Sequence, residues 1–236
     1  MDAAKMKQIK RQFIACLLLT TLLSVTYSYA QPSKTGYWIN YNFRLNFNEN
    51  IGLHLDLNLR NYEFLHDLEQ GLIRGAIYYN LPAQKLQLSA GAAWSHVEQY
   101  KEENQPKIAS EERRLHQQLQ LNSQLDRATI SHRYRLEQRF FSTKSNIRFR
   151  YQLNVQVPLN KSKLEKGAVY LILMDEIFLN FDSPVFDRNR FLCSAGFFLT
   201  PHLRIEGGML WQMYERSNKR QVLFTIHQTI NFHNKE

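Results

Sequence analysis

From Tyr37 the odd positions read Tyr37, Ile39, Tyr41, Phe43, Leu45 and Phe47, while the even ones from Asn40 read Asn40, Asn42, Arg44 and Asn46. Successive side chains of a strand point to opposite faces, so this stretch carries one aromatic, apolar face and one polar face. After Asn48-Glu49-Asn50 the pattern restarts, with Ile51, Leu53, Leu55, Leu57 and Leu59 set against His54, Asp56, Asn58 and Arg60. Two alternating runs joined by turn-forming residues predict a hairpin.

The same period of two recurs with no convincing helical pattern between. It covers Leu68 to Asn80, Leu86 to Val97, Arg114 to Asn122, Ala128 to Phe141, Ile147 to Val157, Val169 to Asn180, Arg190 to Thr200, Leu203 to Tyr214 and Val222 to His233. Even the basic run Arg133 to Phe141 obeys it, since Arg133, Arg135, Glu137 and Arg139 alternate with Tyr134, Leu136 and Phe140. Most runs are about ten residues or more, which suits a tilted bilayer-spanning strand better than the usual five or six of a soluble sheet.

The expected fold is therefore all-β, an antiparallel up-and-down transmembrane β-barrel of about 10–12 strands, with an even count favoured for a single bacterial chain. A periplasmic β-sandwich or lipocalin-like barrel is the soluble competitor, and it would turn the apolar face inward and the charged face to water. Strand length and the Tyr and Phe near strand ends favour the membrane version. A mean hydropathy of −0.46, with no long apolar run after Ala30, excludes helical spans but leaves a barrel open, because its strands hide their lipid face in alternation.

The first thirty residues carry a different signal. Lys5, Lys7, Lys10 and Arg11 form a positive segment, Phe13 to Val25 is almost wholly apolar, and Ser28-Tyr29-Ala30 sets small residues before Gln31. This predicts a cleaved signal peptide over 1–30 and a single barrel domain over 31–236. An N-terminal anchor is the alternative, and a lipoprotein signal at Ile14-Ala15-Cys16 is disfavoured because the apolar run continues past Cys16. Cleavage leaves Cys193 as the only cysteine, so no internal disulfide is expected. Four cations and one carboxylate leave with the leader, reducing the net charge from +9 to +6. In an exported chain such a charge points to lipid or polysaccharide and not to nucleic acid. The expected setting is the Gram-negative outer membrane, with outer-membrane lipid and lipopolysaccharide as surroundings, barrel-assembly machinery as a transient partner, and a monomeric state.

Placing the last strand's end in the periplasm puts Glu98 to Ser110, Ser142 to Asn146, Phe181 to Asp187 and Glu215 to Arg220 outside, with Thr200-Pro201-His202 a periplasmic turn. The longest polar connection then faces outward, although the first strand runs the wrong way for a periplasmic N-terminus.

In such a barrel the alternate polar residues line the lumen. The candidate charge network is Arg114, Arg133, Arg135, Glu137, Arg139, Arg148, Arg150, Glu176 and Arg190, with Arg44, Arg60, Arg204 and Glu206 also inward in this register. Arginine suits a paired interior because its planar guanidinium makes several directed bonds and stays charged. The arginines outnumber the carboxylates, which also allows an anionic ligand or a narrow anion-conducting pore. A lipid-modifying enzyme is the third reading, but Ser95 and His96 point to opposite faces and His132 reads as an interfacial polar residue, so no catalytic residue is assigned. His54 and Asp56 share a face, two ligands without a third, and neither a metal nor a cofactor is expected.

The ordered series Arg113-Arg114-Leu115-His116-Gln117-Gln118-Leu119, Arg133-Tyr134-Arg135-Leu136-Glu137-Gln138-Arg139-Phe140 and Arg148-Phe149-Arg150-Tyr151, followed by Tyr170 to Asn180 and Phe186-Asp187-Arg188-Asn189-Arg190, resembles a family of bacterial outer-membrane β-barrel proteins, domain-of-unknown-function family 2490. The resemblance spans Tyr37 to Phe232 and implies a barrel in the outer membrane, with no reaction and no catalytic residues to transfer. Ile230-x-Phe232 is similar to the terminal signal read by barrel-assembly machinery, although His233 to Glu236 extend beyond it.

Overall fold

A computed structural model describes residues 35–100 and 106–232; the expected signal peptide with Cys16, and residues 233–236, lie outside the described residues. Among the described residues eleven strands follow one another: β1 (Gly36–Asn46), β2 (Ile51–Glu63), β3 (His66–Leu81), β4 (Leu86–Tyr100), β5 (Lys107–Leu125), β6 (Ala128–Phe141), β7 (Ser145–Pro158), β8 (Val169–Asn180), β9 (Phe186–Thr200), β10 (Leu203–Met213) and β11 (Asn218–Asn231). They close into a barrel in which each strand pairs with its sequence neighbours and β1 pairs with β11.

Consecutive strands are antiparallel, but the closing seam is parallel, with Tyr37 opposite Val222 and Ile39 opposite Phe224. An odd count forces this, because the first and last strands then run in the same direction. The expectation of a wholly antiparallel wall is corrected at this one seam. The same parity explains the first strand's direction: β1 begins at one mouth and β11 ends at the other. The mouth where β1 begins gathers connections 64–65, 142–144, 181–185 and 214–217 with the end of β4 and the start of β5, and the opposite mouth gathers 47–50, 82–85, 126–127, 159–168 and 201–202.

One loop assignment also changes. Most of Glu98 to Ser110 is strand, since Tyr100 pairs with Lys107 and Glu98 with Ala109. The longest connection is instead 159–168, at the mouth where β11 ends.

The burial pattern is inverted relative to a water-soluble barrel. Outward residues such as Leu57, Ile73, Ile77, Leu115 and Ile226 are exposed, with Ile77 at 63%, whereas Arg135, Glu137, Arg148, Arg150, Glu176 and Gln212 inside are buried. Three pairs of polar residues on the outward wall are hydrogen-bonded to one another. His132 Nδ1 lies 2.9 Å from the Tyr151 hydroxyl, Asn189 donates to Asp175 at 3.1 Å, and Gln138 donates to Gln117 at 3.0 Å.

Two apolar clusters interrupt the polar interior. Trp38, Leu192, Leu210 and Leu223 form one, with Met174 packed against it. Ala168, Tyr170, Ile172 and Phe198 form the other, and Leu164 of the 159–168 connection packs against it. Tyr170 occupies its place because Gly196 across the strand has no side chain, and a Cβ there would run into the tyrosine ring.

Candidate functional site: an arginine-rich lumen

Strands β5 to β9 build the charged wall by placing long side chains in register. Arg135 stands opposite Arg150 across β6 and β7, a like-charge pair that is destabilising unless neighbours compensate it. The neighbours two residues along supply the compensation. Glu137 accepts from Arg148 Nη2 at 2.6 Å and Nε at 3.0 Å, accepts from Arg150 Nη1 at 2.6 Å, and stands 3.6 Å from Arg135. Glu176 accepts from Arg150 Nη2 at 2.6 Å and Arg133 Nη2 at 2.7 Å, with Arg190 at 3.9 Å. Arg150 is thus the bridge between the two buried carboxylates. Such charge-assisted, multiply bonded geometry is what offsets the desolvation of ions this deep.

A second centre lies beside the first. Glu112 accepts from Arg114 Nη2 at 2.5 Å and is paired with Arg139. Asp187 at the start of β9 takes Arg148 Nη1 at 2.7 Å and Arg188 at 3.1 Å. The Phe178 ring lies beneath four guanidiniums, those of Arg150 (4.4 Å), Arg190 (4.5 Å), Arg148 (5.2 Å) and Arg188 (5.8 Å). Its negative face adds attraction that needs no carboxylate.

The wall encloses a cavity of about 710 Å³. Ten arginines (60, 74, 114, 133, 139, 148, 150, 188, 190 and 204) and Lys219 line it, against five carboxylates at Asp56, Glu69, Glu112, Glu176 and Glu206. Glu137 and Asp187 also pair with lining arginines without lining the cavity themselves, yet the cations still outnumber the carboxylates, and the interior is electropositive. Beyond Trp94 and Arg113, toward the mouth where β1 begins, the outward face of β4 and β5 itself becomes charged, with His96, Glu98, Lys107 and Glu111. There a hydrogen bond from Lys107, then one from His96, holds Glu98 below the usual carboxylate range. Burial opposes the charge on Lys107, but hydrogen bonds to Asp67 and Glu98 outweigh it and raise its pKa.

A family model described as a protein of unknown function, DUF2490, matches residues 35–222. The chain belongs to this family. The DUF2490 match runs from β1 into β11, and so includes all nine residues of the candidate network. No curated protein and no solved structure matches the chain.

Within this DUF2490 barrel the nine candidate residues all lie on the lumen side, but not in one cluster. Arg133, Arg135, Arg148, Arg150 and Arg190 share the carboxylates of Glu137 and Glu176, while Arg114 and Arg139 meet at Glu112. Glu112, Arg74, Asp187, Arg188, Glu69 and Lys219 join them without having been singled out. Glu112 continues the two-residue period upstream of Arg114, which is the signal that marks it. Glu69 had no such mark: a register shift between Arg60 and Asn61 makes it the extra residue of β3.

The remaining candidates are dispersed. Arg204 is 3.5 Å from Glu206, and Arg44 lies over Tyr78 with its Nε 3.0 Å from that hydroxyl. His54 is 3.0 Å from Asp56, which also faces Arg74 at 3.3 Å. Among the described residues no three His, Cys, Asp or Glu side chains converge to hold a metal. Ser95 is buried inside at 1% exposure, while His96 faces out beside Glu98 at 3.3 Å.

Proposed function

We propose that the protein is a monomeric outer-membrane β-barrel whose electropositive lumen binds an anionic ligand. The observation that carries this reading is the cavity of about 710 Å³ lined by ten arginines and five carboxylates. A purely structural network needs balanced pairing, because an uncompensated buried charge is costly; an excess of guanidiniums around open space is the arrangement expected where an anion completes the set. The volume lies in the range of small-molecule pockets.

The membrane setting is supported by the exposed Leu, Ile and Phe of the outward wall and by strands of eleven to nineteen residues, long enough to cross a hydrocarbon layer at a tilt. Hydrogen bonds give outward His132, Asp175 and Gln117 a partner each where water is scarce. In this reading the chain reaches the outer membrane after signal-peptide cleavage, is inserted by barrel-assembly machinery, and is surrounded by lipid and lipopolysaccharide. Its role is binding, without catalysis.

Calorimetric titration of the reconstituted barrel with inorganic phosphate and citrate tests the proposal. Saturable binding that weakens with salt and is lost in Arg133→Gln/Arg139→Gln supports it; no heat above that of empty vesicles refutes it. Planar-bilayer recordings separate a closed binding barrel from a narrow anion-conducting pore. With Leu164 folded onto the apolar cluster at one mouth, the closed barrel is expected to give no steady current.

A further inference from the structure

The positive excess of the lumen is not spread evenly. Arg74, Arg114, Arg133, Arg139, Arg148, Arg150, Arg188, Arg190 and Arg204 each have a carboxylate within 4.0 Å. Arg60 is the one cavity-lining arginine without an ion pair among the described residues; its Nε donates to Asn58 at 3.2 Å. Arg190 is the next least compensated, 3.9 Å from Glu176 and hydrogen-bonded to Gln212 at 2.8 Å.

These two side chains converge on one ring. The Arg60 guanidinium carbon is 3.8 Å from the Trp38 ring centre and that of Arg190 is 5.1 Å from it. Their separation cannot exceed the sum of those distances, so both guanidiniums lie within reach of the same part of the cavity. Trp38 is fixed in place by its indole N–H bond to Asn58, the same amide that receives Arg60. Trp38 also belongs to the apolar cluster with Leu192, Leu210 and Leu223, and all four line the cavity. The under-neutralised positive charge and the apolar surface of the lumen thus meet at Trp38.

An inorganic anion would use the guanidiniums and leave the apolar side chains beside them unused. We infer that the lumen takes an amphipathic anion, with its acidic head between Arg60 and Arg190 and its aliphatic part along Trp38, Leu192, Leu210 and Leu223. The inference rests on the anion-binding reading and narrows it to one ligand class. Guanidiniums supply directed donors for the head, and the apolar cluster supplies the surface on which each buried methylene adds affinity.

The test uses the mature chain in nanodiscs, with Trp94→Phe and Trp211→Phe so that Trp38 reports alone. Decanoate, acetate, inorganic phosphate and decanol are titrated, with empty nanodiscs subtracted. Decanoate is expected to change Trp38 emission saturably, at least about tenfold more tightly than acetate or phosphate given the methylene contribution, and decanol not to saturate. Arg60→Gln should weaken decanoate at least tenfold while Arg60→Lys retains it. Because Arg60 carries no ion pair, heat-modifiable gel migration of both variants should match that of the parent. Phosphate or acetate binding as tightly as decanoate would overturn the inference and leave the anion reading standing; binding of none of the anions would overturn both. Decanol binding as tightly as decanoate would also overturn it, by removing the head-group requirement.

Discussion

Replacing Glu137 with glutamine removes one charge and almost no volume, so it isolates the electrostatic part of the lumen wall. Glu137 is 2% exposed and faces three guanidiniums: Arg148 at 2.6 Å, Arg150 at 2.6 Å and Arg135 at 3.6 Å. Two of them keep another carboxylate, Arg148 through Asp187 and Arg150 through Glu176. Arg135 has no other ion pair among the described residues, and one of its terminal nitrogens makes no hydrogen bond. The substitution therefore leaves one buried guanidinium uncompensated beside Arg150, its direct cross-strand partner. Breaking a buried pair in this way costs about 3–5 kcal/mol, and the partial compensation of the other two arginines places the expected loss near the lower end, about 3 kcal/mol.

Urea unfolding of the barrel in vesicles, followed by tryptophan emission and by gel mobility, measures it. The double variant Glu137→Gln/Arg135→Met should recover part of the loss, because it also removes the stranded charge. A loss below about 1 kcal/mol, the value of an exposed pair, or simple additivity in the double variant, would refute the reasoning.

Other consequences follow from packing, parity and the leader. Gly196→Val should destabilise by about 1–3 kcal/mol through overpacking against the Tyr170 ring, read as a lower temperature for the heat-modifiable transition; an unchanged transition contradicts it. In intact cells carrying a Cys193→Ser background, an impermeant maleimide should treat Lys144→Cys and Ser217→Cys alike and Lys163→Cys oppositely, since the first two share the mouth where β1 begins and the third sits at the other; labelling of all three, or labelling that separates Lys144→Cys from Ser217→Cys, would contradict the topology. N-terminal sequencing of the exported protein should begin at Gln31, and a retained leader would contradict the cleavage site.

The wall of the barrel was legible because alternation is local. Tyr37 to Phe47 and Ile147 to Val157 declare their faces residue by residue, and a period of two needs no knowledge of the neighbouring strand. What alternation cannot show is anything that depends on closure. The parallel seam of β1 and β11 follows from a count, and a single missed strand would have reversed it. The inward side of Arg135 and Glu137 was equally readable, but their partners were not, because Arg148, Arg150 and Glu176 reach them only through cross-strand register. Glu69 was hidden by the register shift at Arg60. The apolar cluster around Trp38 was hidden because Leu192, Leu210 and Leu223 occupy inward positions, where the pattern leads one to expect polar side chains.

The central claim is that the apolar face meets lipid and the arginine face an enclosed interior. Its most direct test is a pair of single-cysteine labels in a Cys193→Ser background, at Ile77→Cys on the outward wall and Ser131→Cys on the lumen wall. With a bimane label and the protein reconstituted in brominated lipid, emission at position 77 should be strongly quenched and emission at position 131 should not. Equal emission at the two sites, with protein that stays soluble and monomeric once detergent is removed, would contradict the account.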